Sequence, residues 1–249
     1  MPTTMLHIPT TDGKADAFAA FPDDDLRHPG VLLYMDAFGL RPELEDKARE
    51  LAGHGYYVLV PNLYYRYGPA PLIELPEYIT LESRPEIITR LLPQIMSQTP
   101  ELVLRDAGAF LEFLTARDEV GEGPVATVGY CMGASHALLA AAAHPGEVAA
   151  VAGFHPDPMV TRDPEGLCRS LAGLTAEVHL GIAEGDMTDV HLDEVGGALD
   201  AAGFTVTAEI YPDTVHGFTM ADTESLNPLA LQRHWDRLLP LLDRALTGR

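Results

Sequence analysis

Cys131 stands in the frame Gly129-Tyr130-Cys131-Met132-Gly133, a spacing suited to nucleophilic chemistry on a carbonyl carbon. The central residue of such a frame sits in a strained turn between a strand and a helix, and both flanking positions must lack a Cβ where the two elements approach. The turn lifts the sulfur above the sheet and sets it at a helix N-terminus. There the dipole and the free N–H groups favour a thiolate and a developing oxyanion. With 22 glycines in 249 residues, chance would place one of two cysteines in this frame at a rate of only roughly 0.016. A free cysteine is otherwise a small buried hydrophobe, and that is the reading for Cys168, which has no comparable setting.

A thiol nucleophile needs a base, and the base needs an acid to orient it. Asp186 follows the apolar run Ala176–Ala183 and His216 follows Thr205–Tyr211. The order Cys131, Asp186, His216 is therefore nucleophile, acid, base, each after its own strand. His216 would take the thiol proton and later return it to the leaving group, while Asp186 would fix the imidazole tautomer. Asp189 and Asp193 follow closely and compete for the acid role. His136, His144, His155 and His234 lie on helices or beside prolines and compete poorly for the base. The oxyanion would be met by the N–H of Met132 and by a second N–H from the loop after Gly30–Met35, from Ala37 or Phe38. No metal set is visible: His191 and Glu194 could share a helical face, but two ligands at that spacing are a weak signal.

These groups must be carried by a scaffold. Apolar β-prone runs at Gly30–Met35, Tyr56–Val60, Pro124–Gly129, Val148–Phe154, Ala176–Ala183 and Thr205–Tyr211 alternate with segments of helical period. That alternation predicts a mostly parallel, twisted sheet with helices on both faces, the α/β-hydrolase fold. Met5–Pro9 and Asp16–Phe21 read as a leading antiparallel pair. Leu44, Ala48, Leu51 and Ala52 form one apolar stripe, and Val103, Ala107, Phe110, Leu111 and Leu114 form another behind Thr99 as N-cap and Pro100 in the first turn. A closing helix is expected from about Pro228 to Leu246. Nothing divides residues 1–249 into separate domains. Residues 69–99, with five prolines, read as irregular, either a partial lid over the site or a plain surface excursion.

Composition narrows the partners. The formal net charge is −21, from 37 acidic against 16 basic residues, a sign that repels nucleic acid and anionic membrane surfaces. Met1 to Ala20 lacks the basic start and apolar run of a signal peptide, and Ala137–Ala143 is too short to span a bilayer. Two cysteines do not make a disulfide framework, which fits a cytoplasmic protein. A small-molecule substrate and a monomer or small homo-oligomer are expected.

The sequence also resembles the dienelactone hydrolase family over most of its length. Met35-Asp36-Ala37-Phe38-Gly39, Pro61-Asn62-Leu63-Tyr64-Tyr65-Arg66, the cysteine elbow and His216-Gly217-Phe218 carry the resemblance. It implies a Cys–His–Asp triad that hydrolyses lactones or small esters, through an acyl-enzyme and with no metal or organic cofactor. It further implies that Asp36 stands where the family has a thiol-modulating glutamate, and that Arg66 matches an arginine binding the substrate carboxylate, with Phe38 at the substrate. The family's second arginine, shortly after the histidine, has no counterpart in Phe218-Thr219-Met220-Ala221. A non-enzymatic scaffold that uses Cys131 as a redox-sensing or ligand-binding thiol is the alternative.

Overall fold

The computed structural model describes residues 1–157, 168–187 and 189–248, and the side chains of residues 189–191 lie outside the described set. Its centre is an eight-stranded sheet formed by β1 (Thr3–Thr10), β2 (Gly13–Ala20), β3 (Gly30–Tyr34), β4 (Tyr57–Pro61), β5 (Val125–Tyr130), β6 (Val148–Phe154), β7 (Glu177–Ala183) and β8 (Val206–Tyr211). The spatial order is β1-β2-β4-β3-β5-β6-β7-β8, antiparallel from β1 to β4 and parallel from there onward. β3, β4 and β5 are buried along their whole length, which is why they read as continuous apolar runs rather than alternating ones. The leading hairpin is in register from Thr3↔Ala20 to Thr10↔Gly13, with Gly13 at φ 143° closing its tight turn.

The helices follow their stripes. α1 (Pro42–Gly53) buries Leu44, Ala48, Leu51 and Ala52. α3 (Pro100–Thr115) buries the five stripe residues, and the Thr99 hydroxyl accepts from the Leu102 N–H at 3.4 Å. α4 (Met132–Ala143) is buried on every face as far as Ala142, as expected of a helix that is apolar all round and packed between the sheet and α3. α5 (Asp189–Ala201) and α6 (Pro228–Leu242) complete the far half, and α6 passes into a π-turn at Asp243–Thr247.

Residues 69–99 depart from the irregular segment that their prolines suggested. They contain a helix, α2 (Arg84–Met96), with Pro85 in its first turn and Pro93 inside it. Pro85 is tolerated because the first-turn N–H groups have no intrahelical acceptor, and Ile87 and Leu91 bury a one-sided stripe at i, i+4. The approach to α2 is stitched to the C-terminal part of the chain: Ile79 donates to the Asp222 carbonyl at 2.8 Å and accepts from Glu224 N–H at 2.9 Å. No helix among the described residues is long and apolar enough to cross a membrane.

Candidate active site at the carboxyl edge of the sheet

β3, β5, β6, β7 and β8 all end on the same edge, and the loops that follow them converge on one sulfur. Cys131 adopts φ 54°, ψ −121°, a region costly for a residue with a Cβ and kept only where the surroundings enforce it. Sterics supply the enforcement. A Cβ on Gly129 would lie 2.0 Å from the Gly133 oxygen, and one on Gly133 would lie 2.5 Å from the Met35 oxygen. Cys131 N–H donates to the Phe154 carbonyl at 3.1 Å, and Ala134 N–H donates to the Cys131 carbonyl at 3.1 Å. Met132 opens α4, so its N–H has no acceptor within the helix.

The β3 loop lies opposite. Asp36 Oδ1 accepts the Phe38 N–H at 3.0 Å, which engages Phe38 and leaves Ala37 as the donor candidate of that loop. Tyr64 holds both oxyanion candidates from behind, since its hydroxyl donates to the Ala37 carbonyl at 2.9 Å and reaches Met132 Sδ at 3.6 Å. Burial, then the nearby Asp36 and Cys131, push the Tyr64 phenol upward and keep it a neutral donor.

The structure brings His216 and Asp186 to the same place. His216 Nδ1 lies 2.6 Å from Asp186 Oδ2, and the ring lines the same small cavity as the Cys131 side chain. Burial disfavours a charged ring, but Cys131 first and Asp186 with it outweigh that, and the imidazole is pushed up to about 10. Asp186 is fixed by its own N–H to the Ala183 carbonyl at 2.9 Å, and Gly185 N–H donates to the Thr214 carbonyl at 3.2 Å. The acid loop and the base loop are thereby joined. Of the rival acids, Asp193 is exposed on α5, and the side chain of Asp189 lies outside the described residues, as does that of His191. Cys168 packs partly buried against the core.

His155, at the end of β6, lies edge-to-face with His216 at 5.2 Å between ring centroids, and its Nε2 is 2.9 Å from Thr219 Oγ1. Burial, then the positive neighbours His216 and Lys47, hold it well below the usual histidine range. One imidazole of the pair is therefore neutral while the other carries charge.

Two residues sit differently from what the family resemblance implies. Asp36 is 3% exposed, and both its carboxylate oxygens are clasped by Arg41 at 2.7 and 3.0 Å. Arg41 also clasps Asp222 at 2.6 and 3.1 Å. Burial opposes the guanidinium charge, and the two carboxylates keep it protonated. Arg66 is not among the residues lining the cavities at Cys131. It forms a two-pronged pair with Asp106 at 2.8 and 2.8 Å, binds Asp12 and stacks on the Tyr65 ring at 4.4 Å. Its β4 loop position points it along the surface toward the β1–β2 turn and α3.

The cation that does line the cavity is Arg84 of α2, which donates to the His216 carbonyl at 2.8 Å and to Ser225 Oγ at 3.0 Å. Arg41, Tyr64 and Arg84 escaped the sequence reading. For Tyr64 a signal existed, because it sits inside the Pro61–Arg66 motif. Arg41 reaches Asp222 over 181 residues and Arg84 reaches the His216 carbonyl over 132, ties beyond the reach of local spacing.

A sharp glycine-flanked turn carrying Cys131 at the end of the central β5, with Asp186 and His216 on the loops after β7 and β8, is the arrangement of an α/β-hydrolase. More specifically, residues 15–246 match the model of the dienelactone hydrolase family, and the chain belongs to that family. It is a hydrolase acting on ester bonds. Among curated relatives, a carboxymethylenebutenolidase of Rhodococcus opacus is 24% identical over 251 residues, covering 99% of this chain and 88% of that protein. A dienelactone hydrolase from Anabaena variabilis superposes with a TM-score of 0.70 at 19% identity, covering 98% of each chain. A dienelactone hydrolase-like promiscuous phosphotriesterase from metagenomic libraries gives 0.75 at 21% identity, covering 99% of this chain and 100% of that one.

Proposed function

We propose that the protein is a cysteine-dependent esterase or lactonase working through Cys131, His216 and Asp186. The observation that carries this reading is the His216 ring, held by Asp186 at 2.6 Å on one nitrogen and bordering the same small cavity as Cys131. Cys131 as thiolate attacks the acyl carbon, and the oxyanion that forms is met by the N–H groups of Ala37 and Met132. The protonated His216 gives its proton to the departing oxygen, which leaves as the alcohol and yields a thioester on Cys131. Water then attacks the thioester while His216 accepts its proton. The acid departs, and the thiolate–imidazolium pair is restored.

Asp36 serves this reaction through Arg41 rather than by exchanging a proton with the thiol, because both its oxygens are engaged by the guanidinium. Arg66 is a fold-stabilising arginine and Arg84 is the cation at the substrate, where Phe38 forms part of the wall. α2 acts as a partial lid, since Arg84, Ile88 and Ile95 all face the cavities at the sulfur.

The test is a panel of lactones, enol-lactones and aryl esters assayed with wild type, Cys131→Ala and His216→Ala. Both variants should lose more than about 10³-fold in kcat. A thiol that serves only as an oxidant sensor has no need of His216. Ester turnover that survives His216→Ala, with Cys131 still oxidising, would support that second role instead.

A further inference from the structure

The space around Cys131 has two unequal lobes that meet at the sulfur and at Ala37. On the His216 side lies a slot of about 30 Å³ bounded by Arg84, His155, His216 and Met220. On the other side lies a chamber of about 220 Å³ walled by Ile95 of α2, Val103 of α3, and Met132 and Leu139 of α4.

Reaction geometry assigns a direction to each lobe. The leaving oxygen must receive a proton from His216, and His216 borders the slot and is absent from the chamber wall. The alcohol therefore departs toward the slot, and the acyl substituent, on the other side of the carbonyl carbon, extends into the chamber. We propose that the preferred substrate joins an uncharged, apolar acyl group of ring size to a small alcohol. This assignment rests on the hydrolase reading above and adds to it which half of the ester is selected.

Volume and chemistry agree. An aliphatic cavity of about 150 Å³ holds a benzene ring, so the chamber accommodates a six-membered ring with a substituent. The slot has room for little more than a water or a methyl group beyond the reacting atoms. Two polar groups on the chamber wall turn to the protein, Ser135 Oγ donating to Asp157 at 2.8 Å and His136 donating its Nδ1–H to the Met132 carbonyl at 2.8 Å, while Gln98 and the unpartnered His136 Nε2 form its polar edge. Burial pushes His136 down to about 4, so it stays neutral. No lysine or arginine lines the chamber among the described residues, so no side-chain cation there is placed to pair a negatively charged acyl group.

Methyl cyclohexanecarboxylate and cyclohexyl acetate are isomers that place the same ring on opposite sides of the ester, and they provide the test. After each kcat/KM is divided by the ester's rate of hydroxide hydrolysis, the cyclohexanecarboxylate should be favoured by at least about tenfold. Val103→Phe, which fills the chamber, should collapse that ratio, and a thermal melt alongside verifies that the variant folds. Equal rates, or preference for cyclohexyl acetate, would overturn the lobe assignment while the hydrolase stands. If neither isomer nor an activated aryl acetate is turned over through Cys131, the hydrolase reading fails, and the lobe assignment fails with it.

Discussion

The elbow at residues 129–133 and the histidine loop at 216–227 face each other across the sulfur, yet they are held by different physics. The elbow is fixed by exclusion: backbone passes so close to Gly129 and Gly133 that a methyl group has no place to go. The histidine loop is fixed by attraction, through side chains reaching in from elsewhere. Arg41 binds Asp222, and Arg84 binds the His216 carbonyl and the Ser225 hydroxyl. Close packing gives a geometry with one solution. A charged network gives a geometry that can be loosened by degrees, which suits a loop whose imidazole, in the proposed mechanism, exchanges protons with two partners in turn.

Substitutions on the two sides should separate these cases. Gly133→Ala drives a Cβ to 2.5 Å from the Met35 oxygen and 2.6 Å from the Tyr34 oxygen, and backbone cannot yield cheaply. A loss of more than about 4 kcal/mol is expected, read as disappearance of the folded baseline in denaturant titration. A cost under about 1 kcal/mol would show that the elbow is not sterically fixed.

Arg41→Met should come next, at about 3–5 kcal/mol, because it strands the buried Asp36 carboxylate without its partner. Chemical denaturation measures this, and kcat should fall along with stability since the oxyanion loop and the histidine loop lose their shared tie. Arg84→Met removes two half-buried hydrogen bonds and should cost only about 1–2 kcal/mol. Its signature is kinetic, a fall in kcat/KM of about tenfold alongside a drop in melting temperature of only about 2–8 °C. Equal damage to both would indicate that Arg84 is simply structural.

The smallest effect is a displacement along the pH axis. His216 is raised to about 10, with Cys131 and Asp186 overcoming burial. The proton it donates is therefore present through neutral pH and is lost only as pH climbs through that value, so the alkaline limb of kcat/KM should fall well above the usual histidine range. Asp186→Asn removes one of the two stabilising partners and should move that limb to lower pH. An unmoved limb would mean that another group titrates there.

How much of this could be read from the chain follows from the same contrast. The strands of the parallel sheet were legible as apolar runs, because burial on both faces leaves little else for a strand to be; Val148–Phe154 falls where its composition placed it. The elbow was legible because its requirement is local, two missing Cβ atoms around one sulfur. Cys131, Asp186 and His216 could be nominated from order along the chain, and the structure pairs His216 with Asp186 and sets His216 on the same cavity as Cys131. α2 was hidden by Pro85 and Pro93, whose ordinary meaning is the end of a helix. Arg66 was expected at the substrate, but Asp12 and Asp106 come from other elements and only the fold shows that they claim it. The ties of Arg41 to Asp222 and of Arg84 to His216 were invisible for the corresponding reason.

The central claim is covalent catalysis at Cys131, and intact-protein mass spectrometry during turnover of a slowly deacylated ester tests it most directly. A mass increase equal to the acyl group, mapped to Cys131, formed at the rate of the first turnover and absent in Cys131→Ser within that time, is the predicted result. Steady hydrolysis with no adduct at any time point, or undiminished turnover by Cys131→Ala, would contradict it.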